Sequence, residues 1–245
     1  MNRFIKSNGL HRKLEGWPLV FTILTTLAIL VGGIVEFLPF VLVEGAVPKI
    51  ESVKPFTPLE LEGRDIYIRE GCNNCHSQMV RPFRHEIERY GEYGKPGETV
   101  YEHPFLWGSK RTGPDLSRVG GKYPNLWHVR HMENPRSTSP RSIMPPYDWL
   151  LSKELDLSNL PTKLRTMQTL GVPYTDEDVA EAVANAETQA RLIAADVEAS
   201  GGPAQAELVD KEITALVAYL QRLGQDIKPA QEGAATPVPD SLEAN

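Results

Sequence analysis

Residues 71 to 82 read GCNNCHSQMVRP. This stretch holds both cysteines of the 245-residue chain, Cys72 and Cys75, with His76 directly after the second. Upstream, LELEGRDIYIREG carries Leu59, Ile66 and Ile68 in an imperfect helical stripe, and Gly71 is placed to end that helix. Downstream, residues 82 to 125 are crowded with proline, glycine and aromatic residues and read as irregular. PNLWHVRHMENP reads as a short helix stopped by Pro135, and RSTSPRSIMPPYDWL as a loop by composition. After Leu150 the character turns helical. A helix interrupted at Pro161 is expected first, then one capped by Thr175 and ended near Gly201, and last AELVDKEITALVAYLQRLG, closed by Gly224. The last carries Leu208, Ile213, Leu216, Val217 and Leu220 at helical spacing. The soluble part is therefore mainly α, with long loops, no strong strand signal and no internal repeat.

The cysteine pair admits several chemistries. Two cysteines cannot staple a disulfide-dense scaffold. Structural zinc needs four ligands, and only His85 and His103 stand nearby to improvise the rest. A thioredoxin-like dithiol belongs in a βαβ setting, and none is visible. Haem attachment fits each residue: two thiols two residues apart match the two vinyl groups, and the next residue, His76, offers an imidazole to the iron. Cys-x-x-Cys-His is the signature of that chemistry, but a pentapeptide alone occurs by chance.

The N-terminus supplies context. Residues 17 to 43, WPLVFTILTTLAILVGGIVEFLPFVLV, exceed the roughly 20 residues that a helix needs to cross hydrocarbon. A cleaved signal peptide is the competing reading, with GAVP as a mimic of its cleavage site, but signal h-regions run to about 15 residues. Arg3, Lys6, Arg12 and Lys13 precede the span, while Glu44, Lys49, Glu51 and Lys54 cancel after it. The positive side stays in the cytoplasm, which puts the C-terminal part in the periplasm of a bacterium, where haem is joined to thiols. Glu36 lies near the outer end, where it reaches the interface or meets a partner helix; Gly32 and Gly33 would permit close approach. The net charge of −6 and the absence of a basic run give no support to nucleic-acid binding.

A haem iron held by His76 needs a second ligand for six-coordination, usually histidine or methionine. Met79 follows His76 too closely to reach the opposite face, and Met132 and Met167 fall in helical runs that read as core. Met144 lies far along the chain in SPRSIMPP, a loop that prolines stiffen, and is the favoured ligand. Arg81, Arg84, Arg111 and Arg141 lie near these motifs, either to pair with haem propionates or as solvated surface groups. His85, His103, His128 and His131 read as structural or surface residues.

In order, CxxCH, GPDL, ENP and SPRSIMP resemble class I cytochromes c. That resemblance implies a carbonyl of Pro114 accepting a hydrogen bond from the iron-bound imidazole, and a last helix with Tyr219 crossing the helix before the cysteines. More closely, GCNNCHSQMVRP, WGSKRTGPDLSRVGGKYPNLWH and SIMPPYDWL behind a single anchor resemble the monohaem cytochrome c subunit of cbb3-type cytochrome c oxidases. The long gap from His76 to Gly113 and the helical insert after Leu150 depart from a minimal cytochrome c and suit a subunit that packs on partners.

Hydropathy, charge and composition give a cytoplasmic N-terminus at 1–16, an anchor at 17–43, a linker at 44–58, a haem domain at 59–224 and a disordered tail at 225–245; the resemblance covers the anchor and the soluble domain to about residue 224. It implies covalent haem c on Cys72 and Cys75, with His76 and Met144 as axial ligands. Partners would be a catalytic subunit with b-type haems and copper, which reduces oxygen and pumps protons, and a dihaem cytochrome c subunit, all set in membrane lipid. Trp107 to Ser109 would face the catalytic subunit, with Ser109 near a calcium ion. The chain itself would only transfer electrons. The small subunit of nitric oxide reductase, or another membrane-bound complex, is the competing family, and a periplasmic thiol oxidoreductase the competing chemistry.

Overall fold

The computed structural model describes residues 8–43 and 48–227. Arg3, Lys6 and Glu44, used above to orient the anchor, and the expected tail beyond residue 227 lie outside them. Cα packing divides the chain into two units, with the boundary between Lys49 and Ile50.

The first unit holds α1 (Asn8–Glu15) and α2 (Pro18–Leu42). Pro18 starts α2 at a position where a missing N–H costs nothing. Its apolar stretch Pro18–Pro39 has a mean hydropathy of 2.3 and no part of it is buried by protein. A helix of this length and apolar composition with none of that stretch buried suits hydrocarbon.

The second unit is all helix and turn; among the described residues there is no strand, only an isolated bridge between Glu154 and Lys211. It opens on α3 (Pro58–Arg69), where Thr57 and Glu60 form a reciprocal capping box. Next come α4 (Cys72–Cys75), α5 (Arg84–Tyr90), α6 (Asn125–Glu133), α7 (Pro135–Thr138) and a 3-10 turn at Asp148–Leu151. The region from 82 to 125 was expected to be irregular throughout, yet α5 forms there, and the loop expected after Pro135 contains α7 and the 3-10 turn. The remaining helices are α8 (Leu160–Thr169), α9 (Asp176–Ala180), α10 (Ala182–Ala199), α11 (Gln205–Leu208) and α12 (Glu212–Arg222). Pro161 does not interrupt a helix but opens α8, since proline suits a first turn. Thr175 caps α9 with Asp178 as expected, but the chain kinks at Glu181 before α10.

The core forms where α12 crosses α3, with α10 laid over both. Ile213, Leu216, Val217, Tyr219 and Leu220 on α12 meet Leu59, Ile66 and Tyr67 on α3, all nearly free of solvent. The Tyr67 and Tyr219 rings lie 5.3 Å apart at the crossing. Arg69, at the end of α3, reaches Glu212, at the start of α12, with Nη1 3.0 Å from Oε1. Met132 and Met167 sit in this core, as their helical settings suggested. Residues 50–57 also belong to this unit: Val53 is buried and Arg222 donates to the carbonyl of Lys54 at 2.9 Å.

Candidate haem site

The site is built from the end of α3 outward. Gly71 takes φ +73°, a left-handed conformation that ends α3 and lets the chain turn at once into α4. That single helical turn brings Cys72 and Cys75 onto one short element, and the N–H of His76 closes it on the carbonyl of Cys72 at 2.9 Å. Both thiols are free; Cys72 is buried and Cys75 exposed.

From His76 the backbone runs extended beside residues 112 to 116. Thr112 and Gly113 both donate to the carbonyl of Cys75, at 2.8 and 2.9 Å, and Leu116 donates to that of Ser77 at 2.9 Å. This pairing brings Pro114 across from His76, and Nδ1 lies 2.8 Å from the Pro114 carbonyl oxygen. A carbonyl can only accept, so Nδ1 carries the proton and Nε2 presents its lone pair. Burial lowers the imidazole pKa from its ordinary value, against the Pro114 bond that raises it, which favours the neutral ring. A neutral imidazole with a bare Nε2 is the form that ligates metal. A Cβ on Gly113 would lie 2.3 Å from Cε1 of this ring, so only glycine leaves the imidazole its place.

Met144 is half-buried against the core, in a loop fixed from both sides: its own N–H donates to Ser142 Oγ at 3.2 Å, and Tyr147 N–H donates to the Met132 carbonyl at 2.7 Å. The loop returns to the cysteine turn. The Tyr147 phenol pKa is raised by burial first, and then by the charges of Cys72 and Cys75. Trp149 Nε1 donates to Glu70 at 3.2 Å, immediately before that turn. The Cys-x-x-Cys-His turn with its oriented imidazole fits a haem, and the segment that follows Met144 is tied back to that turn through Trp149 and Glu70.

Burial pushes the Cys72 thiol up to about 12, so this sulfur stays protonated until it is modified. Among the described residues no three His, Cys, Asp or Glu side chains converge as a metal cluster. Ser109 is exposed, as is Trp107, whose ring stacks on Phe105 at 4.8 Å between centroids.

Of the arginines, Arg111 is mostly enclosed rather than solvated. It is bound inward to Glu86 at 2.8 Å and Asp115 at 3.3 Å. Arg81 pairs with Glu86 and Arg84 with Glu88. His85 is exposed and stacks on Phe83; His103 is exposed. His131 stacks on Trp127, and His128 is buried with Nε2 unpartnered, its pKa pushed down to about 4 by burial. Sequence reasoning missed Glu86, Asp115 and Ser77. Asp115 stood in the GPDL motif, read only for its proline, while nothing in the spacing pairs Glu86 with Arg111.

A family model for the cytochrome c oxidase mono-heme subunit/FixO matches residues 11–227. The chain belongs to this family. It is thus a membrane-anchored mono-haem subunit of cytochrome c oxidase, an electron-transport protein with one haem, and the nitric oxide reductase alternative falls away. No curated protein matches the chain.

Proposed function

We propose that this mono-haem subunit is the electron-transfer cytochrome c of a cbb3-type oxidase, with Cys72 and Cys75 joined to haem c by thioethers and with His76 and Met144 as axial ligands. The observation that carries this reading is the 2.8 Å contact of His76 Nδ1 with the Pro114 carbonyl, beside the cysteine turn. Haem c supplies a one-electron Fe(III)/Fe(II) couple. The chain's residues hold and tune it. The Pro114 carbonyl keeps the proton on Nδ1 and aims Nε2, and the electron density it lends the ring favours the oxidised iron. Met144 supplies a soft thioether that favours the reduced iron. If His76 and Met144 both hold the iron, the haem would offer oxygen no open site, so the chain would only move electrons and the oxygen chemistry would belong elsewhere in the complex.

The remaining assignments follow the family resemblance and the charge pattern. The electron donor is a dihaem cytochrome c subunit or a soluble protein, and the acceptor is a catalytic subunit with b-type haems and copper. The N-terminus is cytoplasmic and the haem domain periplasmic. Ser109, which is exposed, would approach a calcium ion at the interface with the catalytic subunit.

Three measurements test this. Haem should remain on the chain in a denaturing gel, and Cys72→Ala with Cys75→Ala should abolish it; haem that leaves the wild-type chain would overturn covalent attachment. Met144→Leu should abolish the red charge-transfer absorption of thioether-ligated ferric haem, and its persistence would move the ligand elsewhere. The complex purified from native membranes should contain copper with b- and c-type haem.

A further inference from the structure

The peptide that carries the Pro114 carbonyl is also the peptide of Asp115, and the Asp115 side chain is fully enclosed. Its Oδ2 accepts from Ser77 Oγ at 2.6 Å and from Met79 N–H at 2.9 Å; its Oδ1 accepts from Ser117 N–H at 2.9 Å and from the Ser117 hydroxyl. One carboxylate thus fastens the residues after His76 to the residues after Pro114. A buried carboxylate needs a compensating cation. Arg111 provides it, and donates as well to the Met79 carbonyl at 2.9 Å and to Ser77 Oγ.

Arg111 is held in turn by Glu86, which is 1 % exposed in the first turn of α5. Glu86 Oε2 accepts from Arg111 at 2.8 Å and from the Arg81 N–H at 2.9 Å, while Oε1 accepts from the Arg81 guanidinium. Two enclosed carboxylates, the largely enclosed Arg111 and the half-exposed Arg81 make a neutral cluster, and α5 lies in the long gap that sets this chain apart from a minimal cytochrome c. A segment serving only to dock a partner has no need to bury a carboxylate against the Arg81 N–H and the Arg111 guanidinium.

We propose that Glu86 and Arg111 are positioning residues for His76: the insert between the cysteine turn and the Gly-Pro turn folds a carboxylate inward, and through Arg111 and Asp115 sets the length of the His76–Pro114 hydrogen bond. This rests on the reading of His76 as an iron ligand. Loosening the clamp lets the Pro114 carbonyl retreat from Nδ1. The ring then donates less density to the iron, the oxidised state loses more stabilisation than the reduced state, and the midpoint potential rises.

The test uses the full chain in the native complex. Glu86→Gln keeps the side-chain shape and removes the charge; Arg111→Lys keeps the charge and removes the fork. Haem retention on a denaturing gel is read first, then the midpoint potential by redox titration, then the exchange rate of the His76 Nδ1 proton by NMR. Both variants should keep covalent haem, shift the potential upward and speed that exchange. Glu187→Gln, which breaks the exposed ion pair with Arg191, should change none of these. Covalent haem with wild-type potential and exchange in both variants would overturn the proposal. Should one variant fail to load haem, the other decides. A wild-type chain whose His76 Nδ1 proton shows no shift from the iron would instead overturn the ligand assignment, and the proposal with it.

Discussion

The backbone of α3 at Gly63 runs directly against that of α12 at Ala215: a Cβ on Gly63 would lie 1.9 Å from the Ala215 carbonyl oxygen. No side chain fits between the helices there, and this closeness brings Tyr67 and Tyr219 into contact.

Gly63→Ala separates two opposing effects. Helix propensity alone predicts a gain of about 1 kcal/mol, whereas the crossing predicts a loss of about 1–3 kcal/mol or more from forced separation. We expect the loss. Urea unfolding of the detergent-solubilised protein decides by the sign alone.

Gly113→Ala acts on the site rather than on the crossing. The added methyl meets the His76 ring and must displace it. The absorption and EPR spectra of low-spin haem should be weakened or replaced by high-spin features while far-UV circular dichroism keeps its helical form. An unaltered low-spin spectrum would show that the ring has another place to go.

Glu102 gives a pH signature. It is buried, its Oε2 lacks a partner, and burial raises its pKa to about 7, opposed by Arg64 and helped by Glu98. The unfolded chain loses this proton near the ordinary value of 4.5 while the folded chain keeps it, so stability falls as pH climbs from about 4.5 to about 7 and then levels. Glu102→Gln removes that slope. Wild type and variant should unfold alike below the window, and above it the variant should be the more stable, by at most about 3 kcal/mol at about 1.4 kcal/mol per unit. Denaturant midpoints at pH 4 and pH 8 check it, and equal differences at both would discard the assignment.

Tyr219→Phe keeps the ring and deletes the hydroxyl that lies 2.9 Å from the Gln78 amide in a buried setting. The cost should be about 1–3 kcal/mol, since Gln78 is left short of a partner. A thermal melt should show the loss, with covalent haem unchanged.

The sequence was most informative where chemistry imposes spacing. Cys72, Cys75 and His76 declared themselves because two thiols and an imidazole need that interval, and the Gly-Pro turn followed from the family's motif order. The apolar run of α2 was legible for a similar reason, since hydrocarbon thickness sets its length. Pro161 misled because one residue type both breaks helices and starts them, and only the neighbouring backbone decides. α5 and α7 were lost among proline and glycine because short helices are held by tertiary contacts rather than by pattern. The Glu86–Arg111–Asp115 cluster was illegible for a deeper reason: a charged residue is read as surface unless something reveals its enclosure, and here the enclosure exists only after three distant segments have met.

Ala182, Ala186, Ala190 and Ala194 form a single buried edge along α10, and this edge lets the helix lie close on α3 and α12. The added length after Leu150 is therefore stitched into the founding helix pair rather than hung beside it. A shortened chain built by cutting out residues 152–204 would uncover the flanks of α3 and α12 on which α10 lies. Trimming toward a minimal haem carrier calls for new polar residues on α3 and α12, and deletion alone would yield an insoluble product.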